Sequence, residues 1–232
     1  KTKDIYMKVI RALWGDFLKH HKEDIENSTR LDETVYVWGK ENLEYLNALR
    51  YDTIYMGDTS GSFELKLQTL DLAYKQFGEI LFLDWDCKTE LPLDAVKELR
   101  LPSPSMPLYS YPSDYHHPLS SRPHWDMLQA CSWEFHNSRV LPNACFIYTK
   151  DRNIGKELLD IVEEYGLDGL TEEFAMYLYT NCSLDEYIKR YDTPYLNGRG
   201  DNQIFIVEGE AINTAKKLNN YIGKKEILFH HD

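Results

Sequence analysis

Residues 79–86 read Glu79-Ile80-Leu81-Phe82-Leu83-Asp84-Trp85-Asp86, four large apolar side chains that run out into two carboxylates one residue apart. The apolar run predicts a strand with both faces covered, the most hydrophobic of the chain's first half. Upstream of it, Phe63, Leu67, Leu70, Tyr74 and Phe77 recur at the spacing of a helix face, which Gly78 terminates. Before that helix, Thr53 to Gly57 (TIYMG) predicts a short strand, and Leu43, Leu46 and Leu49 mark a helix over Glu41 to Arg50. Glu33 to Gly39 (ETVYVWG) and Tyr6 to Gly15 (YMKVIRALWG) predict two more strands, the latter ending at a Gly15-Asp16 turn. Strand and helix thus alternate through the first hundred residues, which predicts an α/β protein with a mostly parallel sheet flanked by helices.

Downstream the rhythm breaks. Pro102, Pro104, Pro107, Pro112, Pro118 and Pro123 fall within residues 101–125. Each removes a backbone donor, so the segment predicts a functional loop, here a candidate acceptor-facing lid, or a disordered one, with at most an edge strand at Leu108–Tyr111. Beyond it come a strand over Asn143 to Thr149 and helices over Ile154 to Tyr165 and Thr171 to Tyr179. A helix or strand starting at Asp201 follows, and Glu226 to His230 (EILFH) closes the chain as a strand. No internal repeat interrupts this order. The expected organisation is one domain over 1–232, with a nucleotide- and metal-binding half (1–100), the Pro-rich loop (101–125) and an acceptor-side half (126–232).

Composition excludes several classes of function. The 232 residues carry 26 Lys+Arg against 38 Asp+Glu, a net charge of −12, so a duplex-DNA binder is not expected. With 43% hydrophobic and 13% aromatic residues the chain can bury a core, which excludes disorder as its main state. No run approaches a membrane span. Lys1 to Asp4 lead straight into the first strand, so no signal peptide is expected, and the missing initiator Met points to a trimmed chain or an excised domain. Cys87, Cys131, Cys145 and Cys182 form no CxxC pair. They predict reduced thiols in a cytosol-like compartment, with Cys87 and Cys145 as small core residues.

Asp84 and Asp86 are the chemical centre of the sequence. Ligands of α/β sheets bind beyond the carboxyl ends of the strands, and residues two apart on a strand point the same way. Two carboxylates so close repel unless a proton or cation separates them. Mg²⁺ or Mn²⁺ gathering phosphate oxygens is the natural partner, the alternative being a strand end that merely turns into solvent. Haloacid-dehalogenase-like phosphatases also carry D-x-D after an apolar strand, but on their first strand and with Thr or Val at the fifth position. Here the fifth residue is Lys88, three strands precede the motif, and Gly200-Asp201-Asn202-Gln203 lacks the late second acid.

The order of landmarks resembles GT-A-fold nucleotide-sugar glycosyltransferases, most of all the retaining families that include glycogenin and lipopolysaccharide hexosyltransferases, and the small glycosyltransferase domains of large algal viruses. The resemblance runs through the turn Ala12-Leu13-Trp14-Gly15, Lys66, Phe82-Leu83-Asp84-Trp85-Asp86, Asn143-Ala144-Cys145, Asp201-Asn202-Gln203 and Phe229-His230-His231. Two departures are Cys145, where the family has Gly, and Asn202, which splits the Asp-Gln pair. The resemblance implies transfer of a sugar from a nucleoside diphosphate, UDP favoured, to a hydroxyl of a glycan or glycoprotein acceptor, with retention of configuration. It implies Mn²⁺ (or Mg²⁺) held by Asp84, Asp86 and His230, and a donor site formed by Ala12, Leu13, Trp14, Gly15, Trp38, Lys66 and Asn143. Asp126, Asp201 and Gln203 are the implied catalytic contacts.

Each of these residues has a plainer reading. Lys66 serves equally as a solvated helix lysine. Trp14, Tyr36 and Trp38 serve as core aromatics in place of a surface for uracil. Asp201 serves as a helix N-cap, and His230-His231 as a tag remnant. Asp114, Glu134, His116, His117, His124 and His136 are further candidates for acceptor contacts, with no zinc-like spacing among them. A phosphohydrolase using Asp84 as nucleophile and a non-catalytic nucleotide- or carbohydrate-binding module remain as alternatives.

Overall fold

The structure, a computed structural model, describes residues 7–28, 30–59, 61–85, 87–88, 103–104, 108–110, 140–142, 144–165, 172, 175–176, 179, 198–207, 210–212 and 229–230. At 88, 108–110, 140–142, 165, 198–207, 210–212 and 229–230 the description is of the backbone. The first half alternates strand and helix: β1 (Lys8–Leu13), α1 (Phe17–Asn27), β2 (Thr34–Trp38), α2 (Lys40–Ala48), β3 (Asp52–Gly57), α3 (Glu64–Phe77) and β4 (Ile80–Leu83), all but α1 as the periodicity predicts. Gly78 closes α3 with φ 79°, its N–H bonded to Tyr74 O at 2.8 Å.

These strands join β8 (Phe146–Thr149) in a five-stranded sheet of order β3-β2-β1-β4-β8. The pairs β1·β2, β2·β3 and β1·β4 are parallel and β4·β8 is antiparallel, so this central sheet is mostly parallel. The chain steps outward from β1 to β3, then returns across β1 to lay down β4. The order of strands therefore reverses between β1 and β4, where the heads of two parallel strands part and leave a crevice.

Alternation along the strands divides the core between the faces of the sheet. Tyr36 and Trp38 of β2 join Ile10, Ala12, Leu67, Leu70 and Phe82 on one side. Val35 and Val37 join Leu13, Ile25 and Leu46 on the other, under α1 and α2. The first side also packs α4 (Ile154–Tyr165) against α3, burying Ile154 and Leu158. Asn153 starts α4, its Oδ1 accepting from Lys156 N at 3.2 Å while its amide nitrogen donates to Asp71 on α3 at 2.7 Å.

Three features differ from the sequence reading. Helix α1 was not expected, because its charged sequence offers Ile25 as the one fully buried residue and kinks at His21. The Leu108–Tyr111 edge strand is β6 (Leu108–Ser110), an interior strand with β7 (Val140–Pro142) on one side and β9 (Gly198–Val207) on the other. These strands and β10 (Glu210–Ile212) make a separate antiparallel sheet of order β10-β9-β6-β7. The strand expected over Asn143 to Thr149 is divided: β7 ends at Pro142, which has no donor to extend a ladder, Ala144 and Cys145 turn, and β8 begins at Phe146. Of the helix or strand expected from Asp201, the structure has the strand: Asp201-Asn202-Gln203 lies within β9, where Ile204, Phe205, Ile206 and Val207 supply the β propensity, so Asp201 caps no helix there. Glu172, Ala175, Met176 and Tyr179 have helical backbone, as expected.

Candidate functional site

Asp84 follows the last residue of β4 at the crevice between β1 and β4. Its amide donates to Cys145 O at 2.9 Å, continuing the pairing with the segment that leads into β8. Its own carbonyl accepts from the Arg11 guanidinium and from Cys87 N at 3.2 Å, so the chain turns tightly here. Trp85 points the other way, into the core under α1 and α2, where it is 3% exposed. Its indole nitrogen donates to Ala12 O at 2.8 Å, its ring meets Tyr51 edge-on at 5.5 Å, and the Arg11 guanidinium lies 4.9 Å from the ring centre. The middle residue of the motif thus ties the head of β4 to the head of β1.

Two buried cations flank this turn. Arg11, an interior residue of β1, is 1% exposed and faces Glu33 across 3.9 Å, while Glu33 accepts from Leu31 N at 2.7 Å. Lys66, in the first turn of α3, is 4% exposed rather than solvated. Its ammonium lies 2.9 Å from Asp84 Oδ2, 3.7 Å from Glu172 Oε1, and 3.5 Å from the carbonyl of Ala144. Glu172 is itself buried, whereas the Asp84 side chain keeps 30% of its surface open.

A cleft of about 500 Å³ opens at the heads of β1, β2 and β3. Gly15, Asp16, Trp38, Gly39, Asn42 and Thr59 are among its lining residues. Asn42 fixes two of its walls by donating to Trp38 O at 2.8 Å and to Gly15 O at 3.3 Å. Gly39 has φ 89°, a conformation that a residue with a Cβ adopts only under strain.

Of the residues assigned to the donor site from sequence, Gly15 and Trp38 line this cleft. Trp14 is buried behind it, edge-on to Trp38 at 6.5 Å and packed on Phe17 at 4.8 Å. Ala12 and Leu13 face the core, Ala12 contributing its carbonyl to Trp85. Tyr36 is a core residue whose hydroxyl donates to Gln76 at 2.9 Å. Burial, then the charge of Asp52, pushes that hydroxyl's pKa up to about 12. Lys66 meets Asp84 directly.

Asp86, Asp126 and Asn143 lie outside the described residues, as do Asp114, His116, His117, His124, Glu134, His136 and His231. Cys131 and Cys182 do too, whereas Cys87 and Cys145 are buried, the Cys87 thiol donating to the Cys145 carbonyl at 3.2 Å. Asp201 and Gln203 are described as backbone positions of β9, where Gln203 pairs with Tyr109. His230 is a backbone position of β11 (Phe229–His230), which pairs antiparallel with β5 (Cys87–Lys88) so that His230 stands opposite Cys87. The last strand therefore returns to the segment just past the motif. Among the described residues no three His, Cys, Asp or Glu side chains converge as a metal site.

Arg11, Glu33, Asn42, Trp85 and Glu172 were not singled out by the sequence reading. Arg11 interrupts the apolar run Val9–Leu13, and that interruption was the one local signal; the others reach the site through partners remote in sequence, Glu33 through Arg11, Asn42 through Gly15, Trp85 through Ala12 and Glu172 through Lys66.

No family model matches the chain, and no curated protein matches it, but solved structures are similar to it. Mouse xyloside xylosyltransferase 1 in its apo form is 11% identical, with 77% of this chain and 82% of that one covered at a TM-score of 0.44. The apo-form glycosyltransferase GlyE of Streptococcus pneumoniae TIGR4 is 13% identical, with 84% of this chain but 45% of that one covered at a TM-score of 0.43. A glycosyltransferase involved in glycosylation of the major capsid of PBCV-1 is 13% identical, with 97% and 94% covered at a TM-score of 0.37. No helix among the described residues is long and apolar enough to cross a membrane.

Proposed function

We propose that this chain is a glycosyltransferase that uses a divalent cation to move a sugar from a nucleoside diphosphate to a hydroxyl of a glycan acceptor. The observation that carries the reading is the position of Asp84. Its partly open carboxylate stands at the head of β4, at the reversal of strand order, and the neighbouring β1 leads into a cleft at the heads of three parallel strands. That D-x-D ends the fourth strand in chain order, not the first, separates the arrangement from the phosphatase pattern.

The residues present suit a hard cation. Asp84 offers a partly open carboxylate, the hard oxygen donor that such a cation takes. Asp86 and His230 are proposed as the other ligands, and the pairing of β11 with β5 supports this for His230. An imidazole in the set favours Mn²⁺ over Mg²⁺. A cation so held supplies Lewis-acid stabilisation of the departing diphosphate.

The chain's own residues do the rest. The cleft beside Trp38, Gly39 and Asn42 takes the base and ribose of the donor, UDP being favoured. Trp85 and Arg11 hold the turn so that the Asp84 carboxylate needs no reorganisation when charge develops. Asp126, Asp201, Gln203 and Asn143 are proposed contacts of the transferred sugar and acceptor, and retention is the proposed stereochemical course.

Thermal unfolding with UDP, GDP and CMP, each with and without Mn²⁺, tests the reading. A nucleotide at a hundred times its dissociation constant stabilises by about 2.7 kcal/mol. For a chain of this size that is a midpoint rise of about 5–10 °C. The rise is expected to need both Mn²⁺ and one nucleotide. No rise with any nucleotide would sink the reading.

A further inference from the structure

We infer that Lys66 is a built-in stand-in for the divalent cation at Asp84, so that the metal binds well only together with the diphosphate. The inference rests on the reading of Asp84 as a metal ligand and goes beyond it, to the order in which the site fills.

Nothing local favours a lysine at position 66. It is the third residue of α3, counting from Glu64, where the positive end of the helix dipole disfavours a cation. It is also almost completely buried, and a buried ammonium is costly unless carboxylates surround it. Local rules broken in this way, with compensation supplied from elsewhere in the fold, mark functional positions. Here the compensation comes from three separate segments: Asp84 after β4, Glu172, and the carbonyl of Ala144 before β8.

The charge count then sets the behaviour. Among the described residues, one ammonium between two carboxylates leaves a net charge of −1 on this trio. A divalent cation approaching Asp84 meets an ammonium 2.9 Å from one of its oxygens, and the two positive charges repel. A diphosphate arriving with the cation reverses this balance, because it adds negative charge to the site and offers Lys66 a new partner. Metal and nucleotide should therefore bind with strong positive coupling, of which Lys66 is the source.

Titration of the full chain with Mn²⁺, followed by the electron paramagnetic resonance signal of the free ion, reads this out without any turnover. Wild type is expected to bind Mn²⁺ weakly alone and at least about tenfold more tightly with UDP, after correction for Mn²⁺–UDP pairing in solution. Lys66→Met is expected to bind Mn²⁺ alone about tenfold more tightly than wild type, with most of the coupling to UDP lost. Glu172→Gln, which takes the trio from −1 to neutral, is expected to shift Mn²⁺ binding the opposite way, weakening it several-fold. A purely structural role for Lys66 would weaken binding in both variants, so shifts in the same direction overturn the inference. Lys66→Met binding Mn²⁺ no more tightly than wild type also overturns it. If Lys66→Met does not fold, Glu172→Gln decides alone: Mn²⁺ binding unchanged or tightened overturns the inference. In all these outcomes the transferase reading stands. Wild type failing to bind Mn²⁺ even with UDP would overturn both.

Discussion

Asp84→Asn is expected to lower sugar transfer by about a thousandfold or more while the protein stays folded. The asparagine keeps the size of the side chain and can still accept a hydrogen bond from Lys66, so the turn through Trp85 and Cys87 is preserved. What it loses is the negative charge that would hold a cation against the leaving diphosphate, and removing one element of such preorganised stabilisation costs on the order of a hundred- to a thousandfold. The loss of the metal's own Lewis-acid contribution adds to this. The buried ammonium keeps Glu172 at 3.7 Å, and Asp84 is partly open, so the stability cost is about 1–2 kcal/mol and not the full penalty of an orphaned buried charge. Product formation from UDP-sugars measures the first effect and a thermal melt the second. Transfer within tenfold of wild type would mean that Asp84 is not at the reacting diphosphate.

A large stability effect is expected outside the site, at Gly155. A Cβ there would stand 2.2 Å from the backbone nitrogen of Asp71 and 2.7 Å from the carbonyl carbon and Cβ of Leu70. None of these atoms belongs to a side-chain tip that can swing away, so α4 has to separate from α3. That separation stretches the Asn153–Asp71 bond and opens the packing of Ile154 and Leu158. Gly155→Ala is accordingly expected to destabilise by about 3 kcal/mol or more, in the range of strongly overpacked cores. The sign is informative, because glycine to alanine within an unobstructed helix stabilises by about 0.5–1 kcal/mol. Urea denaturation should show a lower midpoint with an unchanged slope. An unchanged or raised midpoint would mean that the helices do not approach as closely as the structure has them. Because α3 carries Lys66, the same variant should also weaken nucleotide-dependent stabilisation.

The central sheet was legible because its information is local. Four apolar residues at Ile80–Leu83, the β-branched and aromatic run of β2 and the stripe on α3 each report their own burial. The position of Asp84 at a strand head followed directly. Much of what surrounds Asp84 was not legible, since it depends on the meeting of distant segments. Lys66 reads equally as a donor contact or a surface lysine, and its burial against Asp84 shows only when α3 is laid beside the end of β4 and Glu172 is brought to it. Arg11 looks misplaced in an apolar strand until Glu33 and Trp85 enclose it. The antiparallel second sheet escaped for a related reason, because proline-rich sequence signals the absence of helix more clearly than it signals a strand at Leu108–Ser110. Helix α1 escaped because a helix that buries Ile25 and little else leaves no apolar stripe to read.

Written as D-x-D, the motif implies that its middle letter is free to vary, and the packing of Trp85 says otherwise. A survey of substitutions scored on activity alone would rank position 85 with position 84, as though both were chemical. Scored on the amount of folded protein in the cell, the two would separate: variants at 85 would disappear with the fold, having lost a bond to Ala12 and a large buried ring, while Asp84→Asn would accumulate, intact and inert.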